Sequence, residues 1–454
     1  MAAVSTSGLL RSLKGRLITP DDADYDRLRK VYDGRFDSHP SLIVRVADDS
    51  DVALVVRHAR ETGLELAIMS GGHSFAGHSA TDGGILLDLR DMKALDIDTD
   101  QRTIWAETGL TAGDVTRRAE AEGFVVGFGD TASVGIGGIT LGGGIGYLVR
   151  KYGLTIDSLL AADLVTADGE VLRADAENHP DLFWAIRGGG GNFGVITRFR
   201  YRLHELPTCY RGWLVLPATP EVIAGFVEAA SAAPDELSAI VNVMPAPPMP
   251  FLAEKDIGRL VLMAGIVYAG EAEAGERALE PFRALASPLA DLVDAGPYTG
   301  MFPPELSEPF HPTATSKTLF LDAVDMSAAE TIVRRLEESD ATMRAVQLRV
   351  LGGAMSRVPE DATAFAHRCC RIMANVAAFY EGPEDLLRRG LWVADLVESL
   401  PHRAFGAYVN FLSATGEAET HDAYPPSTAE RLAEVKCRYD PTNLFHRNHN
   451  IRPE

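Results

Sequence analysis

Residues 129–146 read GDTASVGIGGITLGGGIG, and residues 67–79 read AIMSGGHSFAGHS. Each stretch is an apolar run that breaks into glycines and small hydroxyl residues. Such segments allow backbone N–H groups to approach and surround a phosphate, because glycine has no Cβ to obstruct the approach. Two of them in one chain favour a diphosphate gripped from both sides, and therefore a nucleotide cofactor site.

The stretch at 67–79 is the first glycine stretch along the chain, and the stretch at 129–146 is the second. The second glycine stretch has seven glycines in the twelve residues 135–146. Average glycine usage is about 7%, and each glycine costs chain entropy when it is ordered. A glycine-rich turn without a ligand is the alternative interpretation. The density favours contact with a cofactor.

Size and composition bound the class of protein. The chain has 454 residues, of which 46% are hydrophobic, so two or three folding units are expected. Its 43 basic and 64 acidic residues give a net charge of −21. Nucleic acids and anionic membranes attract basic patches, so neither is an expected partner and a small-molecule substrate is favoured.

Local signals point to a reducing compartment. The first residues lack the apolar core of a secretory signal. No stretch of the sequence reaches 18 uninterrupted apolar residues, so no membrane-spanning helix is expected. The four cysteines, Cys209, Cys369, Cys370 and Cys437, have no CxxC spacing, which predicts free thiols and a cytoplasmic protein. No HExxH motif or paired cysteine ligands appear, so no metal site is expected.

The first glycine stretch follows a strand–helix–strand pattern. Residues 41–46 and 64–69 read as strands, and residues 51–62 as an amphipathic helix between them. A strand is also predicted over 84–89, and a helix over 111–122 with Thr111 near its N-cap. This β-α-β-loop order suits a phosphate-binding unit.

The character of the chain changes after Pro207. Residues 208–410 lose the glycine motifs and alternate strand-like runs (260–266, 345–350) with helical ones (221–230, 328–338, 384–399). This part is interpreted as a separate substrate domain. In the tail, residues 427–430 read STAE, a capping-box signature for a helix through Arg438 that ends at Asp440-Pro441.

A third glycine segment, GGGGNFGVIT at 188–197, contains the spacing of a Rossmann fingerprint. Residues 195–203 after it are β-branched and alternating, so a strand is expected where a Rossmann fold opens a helix. The Rossmann interpretation is therefore rejected.

Four motifs together resemble the berberine-bridge-enzyme-like FAD oxidases of the vanillyl-alcohol-oxidase superfamily. They are SGGHS at 70–74, the second glycine stretch, DLFW at 181–184 with the third glycine segment, and the tail YDPTNLFHRNHNIRP at 439–453. They come in the family's order and span nearly the whole chain. The resemblance implies an α+β, two-domain PCMH-type FAD-binding fold with an inserted α/β substrate domain whose sheet is covered by helices. Its segments are expected at 1–207 (FAD-binding), 208–411 (substrate-binding) and 412–454 (returning to the first).

The resemblance implies that His73 forms a covalent bond from its ring nitrogen to the flavin 8α-methyl group. A histidine that only stabilises a turn is the alternative. Relatives that attach flavin a second time use a cysteine at the position of Thr131, whose hydroxyl forms no such thioether, so one covalent bond is predicted. Val134 matches a position near the oxygen-reacting carbon of the flavin, where the family's oxidases have valine.

The remaining candidates also follow from the resemblance. The expected cofactor-binding residues are Ser70, Gly71, Gly72, His73, Ser74, Gly77, His78, Ser79, Thr131, Val134, Gly135, Gly138, Ile139, Gly142, Gly143, Gly146, Val195, Asn448 and Asn450. YVNF at 408–411 resembles the family's Tyr-x-Asn-Tyr segment, which makes Tyr408 the first candidate for the catalytic base and Asn410 its neighbour. Tyr147 is a further candidate at the pocket border.

The sequence thus predicts an FAD-dependent oxidoreductase that takes a hydride from a CH–OH or CH–NH substrate. Because the family includes oxidases, O2 is the expected electron acceptor and H2O2 the product. Three alternatives stay open. They are a dehydrogenase with another acceptor, an oxidative cyclase or isomerase, and a non-catalytic flavin-binding protein.

Overall fold

The structure is a computed structural model that describes residues 12–302 and 311–453. Its first sheet is four-stranded, in the order β1-β2-β4-β3. The strands are β1 (Arg16–Ile18), β2 (Leu42–Arg45), β3 (Leu66–Met69) and β4 (Ile85–Asp88). Both β2 and β3 pair in parallel with β4, and the Asp49–Thr62 helix connects them, so the predicted β-α-β order is confirmed.

The helix between β2 and β3 is fixed at both ends by local chemistry. The Asp48 side chain accepts hydrogen bonds from the backbone N–H groups of Ser50 and Asp51, and Gly63 ends the helix with a φ of +67°. Its buried face, which includes Val52, packs on the strands. As a result β3 delivers the chain to Ser70 at the sheet edge, where the first glycine stretch begins.

A second sheet of five strands has the order β5-β6-β10-β8-β9, and a two-stranded sheet pairs β7 with β11. The strands are β5 (Leu95–Asp98), β6 (Thr103–Glu107), β7 (Phe124–Val125), β8 (Leu159–Val165), β9 (Val171–Asp175), β10 (Val195–Arg202) and β11 (His204–Glu205). Strand β10 begins at Val195, directly after the last glycine of the third glycine segment, which confirms the rejection of the Rossmann interpretation.

Short helices accompany these sheets, and one of them confirms a predicted cap. They are Tyr25–Leu28, Ala112–Glu120, Ile136–Leu141, Val149–Tyr152 and Pro180–Ala185, with a 3-10 turn at Thr155–Asp157. Thr111 caps the Ala112–Glu120 helix through a reciprocal pair of hydrogen bonds with Asp114.

The third large element is an antiparallel nine-stranded sheet, in the order β15-β12-β14-β13-β18-β19-β17-β20 with β16 beside β12. Its strands are β12 (Cys209–Pro217), β13 (Leu237–Pro245), β14 (Leu260–Tyr268), β15 (Ala290–Asp291), β16 (Asp294–Gly296), β17 (Ala314–Leu321), β18 (Arg344–Val350), β19 (Ile372–Phe379) and β20 (Arg403–Ala404). The associated helices are Pro220–Ala232, Ala272–Arg283, Met326–Glu338, Ala354–Arg357 and Pro383–Ser399, with 3-10 turns at Glu254–Asp256, Tyr298–Met301 and Val409–Phe411.

Helices cover one face of this sheet, as predicted. Alternate residues of β18 and β19, such as Leu348 and Ala374, form a continuous core with the Pro220–Ala232 and Met326–Glu338 helices. The intervening residues face the other way. The first three sheets use residues 16–205 and this sheet uses residues 209–404. The domain boundaries at 207 and 411 themselves stay a prediction.

The tail contains two helices, Glu417–Ala423 and Pro426–Tyr439. The predicted capping box at 427–430 is wrong. Pro425 occupies the N-cap without a side-chain hydrogen bond, and Ser427 lies inside the helix. Pro426 occupies the first helical position, where proline already has the φ that a helix needs, so the helix starts before Ser427. It ends at Tyr439, before Asp440-Pro441, as expected.

Two further sequence expectations concern the whole chain. In the part of the chain that the structure describes, no helix is both long and apolar enough to cross a bilayer. Cys209, Cys369 and Cys370 form no disulfide, and Cys209 and Cys370 are buried.

A buried ion pair joins the tail to the third glycine segment. The Lys436 ammonium lies 2.7 Å from the Asp440 carboxylate, and both side chains are 0% exposed. Lys436 Nζ also donates to the carbonyl oxygens of Asn192 (2.7 Å) and Phe445 (3.1 Å). Asp440 in turn accepts from the backbone N–H groups of Leu444 and Phe445. The third glycine segment and the tail, which are distant in sequence, therefore meet at one charge pair.

Replacing Lys436 with methionine should destabilise the protein by about 3–5 kcal/mol, because the Asp440 carboxylate would stay buried without its cation. The free energy of unfolding from urea titration measures this loss. Arg438→Met is the matched control, since Arg438 is 66% exposed and pairs with Asp181 near the surface. We expect that control to cost less than about 1 kcal/mol. Equal losses in the two variants would contradict a structural role of the buried pair.

Candidate functional site

A cavity of about 400 Å³ lies where the glycine segments, the nine-stranded sheet and the tail meet. Its walls include parts of all three glycine segments and four residues of the nine-stranded sheet. The 408–411 turn and four residues of the tail segment 445–449 complete them. Segments that are hundreds of residues apart in sequence therefore share one space.

Most of the predicted site residues line this cavity. They are Ser70, Gly71, Gly72, His73, Ser74, His78, Ser79, Thr131, Val134, Gly135, Gly138, Ile139, Val195, Tyr408, Asn410 and Asn448. The structure places the others outside the lining, namely Gly77, Gly142, Gly143, Gly146, Tyr147 and Asn450.

The first two glycine stretches pack directly against each other. A Cβ on Gly71 would overlap the backbone nitrogen of Gly135, and a Cβ on Gly135 would overlap the backbone of Gly71. The Ser70 hydroxyl strengthens the contact, because it donates to the Thr108 carbonyl oxygen (2.7 Å) and accepts from the Gly137 N–H (3.2 Å). These small residues are thus required for the packing of the two loops as well as for access to the cavity.

The backbone faces open space at Gly138, where a Cβ would have no neighbour within 4 Å. On the opposite side, the Asn448 amide donates to the Gly191 carbonyl oxygen at 3.0 Å. Asn192 donates to the carbonyl oxygens of Gly189 and His449 (2.9 and 3.2 Å). The tail is thereby attached to the third glycine segment along the cavity wall.

His73 is half-buried and lies flat on Tyr32, with 4.4 Å between the ring centroids and 21° between the planes. Burial lowers the pKa of His73 to about 4, although a hydrogen bond with the Ser133 backbone opposes the shift. The imidazole is therefore neutral at pH 7, and a neutral ring nitrogen has a lone pair available for bonding.

Two more histidines meet at the cavity wall. The rings of His78 and His449 are in edge-to-face contact at 4.7 Å, and burial lowers their pKa values to about 3 and about 4. The Nδ1 atom of His449 is buried without a hydrogen-bond partner in the protein. Such an atom is expected to pair with a bound ligand or water.

The Tyr408 phenol is buried and surrounded by donors. Its oxygen accepts hydrogen bonds from the Gly144 N–H (3.0 Å) and from the Asn410 side-chain amide (2.9 Å). Burial raises the pKa of Tyr408, whereas these donors and the nearby charge of Arg349 oppose the increase. A phenol that accepts two N–H groups can direct its own proton to a third group.

The glycines at 142–146 shape the backbone near Asn410 and Tyr408. A Cβ on Gly142 would overlap the Asn410 amide, and one on Gly146 would overlap the Phe128 carbonyl oxygen. Gly143 and Gly144 adopt φ values of +122° and +81°. These residues let the backbone pass close to Asn410 and aim the Gly144 N–H at Tyr408, and Gly142, Gly143 and Gly146 do not line the cavity.

Three other predicted residues lie away from the cavity lining. Tyr147 is buried beside Gly265 in an apolar cluster with Tyr298, and burial raises the pKa of its phenol. A Cβ on Gly77 would overlap the Phe36 ring. Asn450 follows His449, and its Oδ1 atom is buried without a partner.

Sequence reasoning missed a group of polar residues on the cavity face of the nine-stranded sheet. Arg349 is 3% exposed and forms an ion pair with Asp130 at 2.6 Å. Its guanidinium also donates to the Ile145 carbonyl oxygen (2.7 Å) and lies 4.7 Å from the centroid of Phe411. A signal for these residues was present in the sequence. Gln347 and Arg349 alternate with apolar residues in the strand predicted over 345–350, which places both polar side chains on one face of that strand.

The cavity suits a dinucleotide cofactor. Glycine backbone edges can approach a diphosphate, and a neutral His73 and the unpaired His449 nitrogen offer polar contacts to other parts of the molecule. Apolar side chains such as Val134, Ile139 and Val195 supply walls for a planar ring system.

Comparison with known proteins agrees with this chemistry. The family described as "FAD binding domain" matches residues 40–175, and the family described as "Berberine and berberine like" matches residues 407–452. The chain is 32% identical to (R)-6-hydroxynicotine oxidase of Paenarthrobacter nicotinovorans, and the alignment covers 98% of each protein.

Solved structures have the same fold. The structure of 6-hydroxy-D-nicotine oxidase from Arthrobacter nicotinovorans superposes with a TM-score of 0.87 at 28% identity, covering 98% of this chain and 99% of that one. Xylooligosaccharide oxidase from Myceliophthora thermophila, in complex with xylobiose, gives a TM-score of 0.86 at 23% identity over the full length of both chains. The chain belongs to the berberine-bridge-enzyme-like family of FAD-linked oxidoreductases and has its PCMH-type FAD-binding fold.

Proposed function

We propose that the protein is an oxidase of small molecules that carries covalently attached FAD and uses O2 as electron acceptor. The position of Tyr408 carries this proposal, because a phenol with two N–H donors stands on the wall of the cavity that the glycine segments form. Bound FAD would supply the redox chemistry, accepting a hydride from a CH–OH or CH–NH carbon and passing the electrons to O2 to give H2O2.

The chain would hold the cofactor through the cavity-lining glycines and through His73. Tyr32 fixes the plane of the His73 ring by stacking, and the low pKa keeps its nitrogen unprotonated at neutral pH. Thr131 lines the same cavity, and its hydroxyl hydrogen-bonds with Asp130 at 3.3 Å. A hydroxyl forms no thioether, which supports a single covalent attachment.

Tyr408 would remove the proton from the substrate hydroxyl or amine. The Gly144 N–H and the Asn410 amide stabilise negative charge on the phenolic oxygen, and the Arg349 cation acts in the same direction. Burial of the phenol opposes ionisation and raises its pKa overall, and these three groups offset part of that effect. Val134 on the cavity wall is small, which supports access of O2.

Acid precipitation tests the attachment. We expect yellow, fluorescent flavin to stay with the precipitated wild-type protein and to be released from His73→Ala. His39→Ala is the matched control, because His39 is exposed and lies outside the cavity lining. Flavin in the supernatant of the wild-type protein would contradict covalent attachment but would leave FAD binding intact.

The pH dependence of attachment tests the state of His73. Flavin-free protein mixed with FAD should form acid-stable flavin at a constant rate between about pH 5 and about pH 8. The rate should fall only as the pH approaches 4, because burial holds the pKa of His73 at about 4 and protonation occupies the ring lone pair. A midpoint near the ordinary histidine pKa of about 6.5 would show that the ring is not desolvated before FAD binds.

Tyr408→Phe tests the base. A panel of alcohols and amines first identifies compounds that bleach the wild-type flavin without air. The variant should keep its FAD, while its rate of flavin reduction should fall by about 10²- to 10⁴-fold. Tyr147→Phe should leave the rate unchanged, because Tyr147 lies outside the cavity lining.

Admitting air in the same experiment tests the electron acceptor. Rapid return of the flavin colour, with one H2O2 per flavin, is the expected result. Slow recovery of the flavin colour in air would contradict O2 as acceptor and favour a dehydrogenase.

In the preceding test, an unchanged rate of flavin reduction in Tyr408→Phe would contradict the role of Tyr408 as the base.

A further inference from the structure

The cavity face of the nine-stranded sheet presents a row of uncharged hydrogen-bonding groups. Asn242 on β13, Gln347 on β18 and Asn375 on β19 are direct neighbours in the strand register. Gln347 and Asn375 line the cavity, and so does Ser316 on β17. Because side chains alternate along a strand, this polar face lies opposite the apolar face that the helices cover.

Two contacts fix the Gln347 amide in one orientation. Its Oε1 accepts from Arg349 Nε (3.0 Å) and Nη2 (2.9 Å), and its Nε2 donates to Asn242 Oδ1 at 3.0 Å. The Nε2 group carries a second hydrogen, which the Asn242 contact does not use. The amide is therefore held in place with one N–H to spare, and Gln347 lines the cavity.

Asn375 offers the opposite function. Its Oδ1 atom is buried and has no hydrogen-bond partner in the protein, although the residue lines the cavity. Buried acceptors are almost always paired, and leaving one unpaired is costly. A bound ligand or a water that donates a hydrogen bond would satisfy Asn375 Oδ1.

The charges at this end of the cavity disfavour a cation. Within the described part of the chain, Asp130 is the only carboxylate in the cavity lining, and Arg349 already pairs with it at 2.6 Å. A protonated amine would approach a buried guanidinium and find no free carboxylate. Burying an unpaired charge is far more costly than burying a hydrogen-bonded hydroxyl.

We propose that the substrate is an uncharged polyhydroxylated molecule, and that Asn375 selects it by accepting a hydrogen bond from a substrate hydroxyl. Gln347 donates to a second oxygen, and the Ser316 hydroxyl lies on the neighbouring strand. This inference rests on the proposed oxidase function, since it names the substrate class of the same site. The Arg349–Asp130 pair disfavours protonated amines.

The test uses the FAD-loaded protein without air, with xylobiose and cellobiose as neutral probes and 6-hydroxynicotine as a cationic amine probe. We expect the disaccharides to bleach the flavin and the amine to leave it oxidised. Asn375→Leu should raise the half-saturating disaccharide concentration by about 10- to 100-fold with little change in the limiting rate. Asn375→Asp, which keeps an acceptor at this position, should lose less.

Each other outcome has a distinct meaning. Flavin bleaching by the amine alone would overturn the substrate class and leave the oxidase function standing. An unchanged half-saturation in Asn375→Leu would overturn the role of Asn375. If no probe bleaches the flavin, the same titrations report binding through the flavin absorbance. If a disaccharide shifts the flavin absorbance and Asn375→Leu weakens that binding, the result would support this inference and count against the oxidase function. If neither disaccharide shifts the flavin absorbance, the inference would be overturned.

Discussion

The buried Lys436–Asp440 ion pair is the contact on which the cavity depends. The helix that carries Lys436 is near the end of the chain, yet its ammonium binds the carbonyl oxygen of Asn192 in the third glycine segment. Asp440 binds the backbone at 444–445, so one charge pair holds the tail and the glycine segment together. Two charges without solvent are stable only when each is fully hydrogen-bonded, and here both are. The ion pair thereby also supports the nearby hydrogen bond from the Asn448 amide to the Gly191 carbonyl oxygen, which lies on the cavity wall.

A second constraint is the contact of the first two glycine stretches. At Gly71 and Gly135 two backbones occupy the space that side chains would need, so neither position tolerates a Cβ. The glycines nevertheless differ in purpose. Gly138 borders open space, whereas Gly142 and Gly144 shape the backbone around Asn410 and Tyr408. A single glycine-rich stretch thus lines the cavity and also shapes the backbone around Tyr408.

The nine-stranded sheet separates packing from chemistry by strand alternation. Its apolar face forms a core with the helices, while its other face brings Gln347, Arg349 and Asn375 to the cavity. Arg349 connects this face to the second glycine stretch through Asp130 and Ile145. The nine-stranded sheet and the second glycine stretch are therefore joined by one buried guanidinium, which also opposes the effect of burial on the pKa of Tyr408.

The sequence alone determined the elements and motifs whose signals are local. Strand alternation, the Thr111 cap and the glycine stretches predicted β2, β3, β10 and the Ala112–Glu120 helix, and the four motifs identified the family. Only the tertiary structure decided which side chains meet. Tyr147 lies beside a glycine stretch in sequence but packs in another cluster, and Arg349 and Asn375 reach the cavity from strands without any motif. The capping box failed because Pro426 starts the helix before Ser427. Local patterns record backbone preference and burial, whereas contacts between distant segments depend on how sheets and tail pack, which no short stretch of sequence contains.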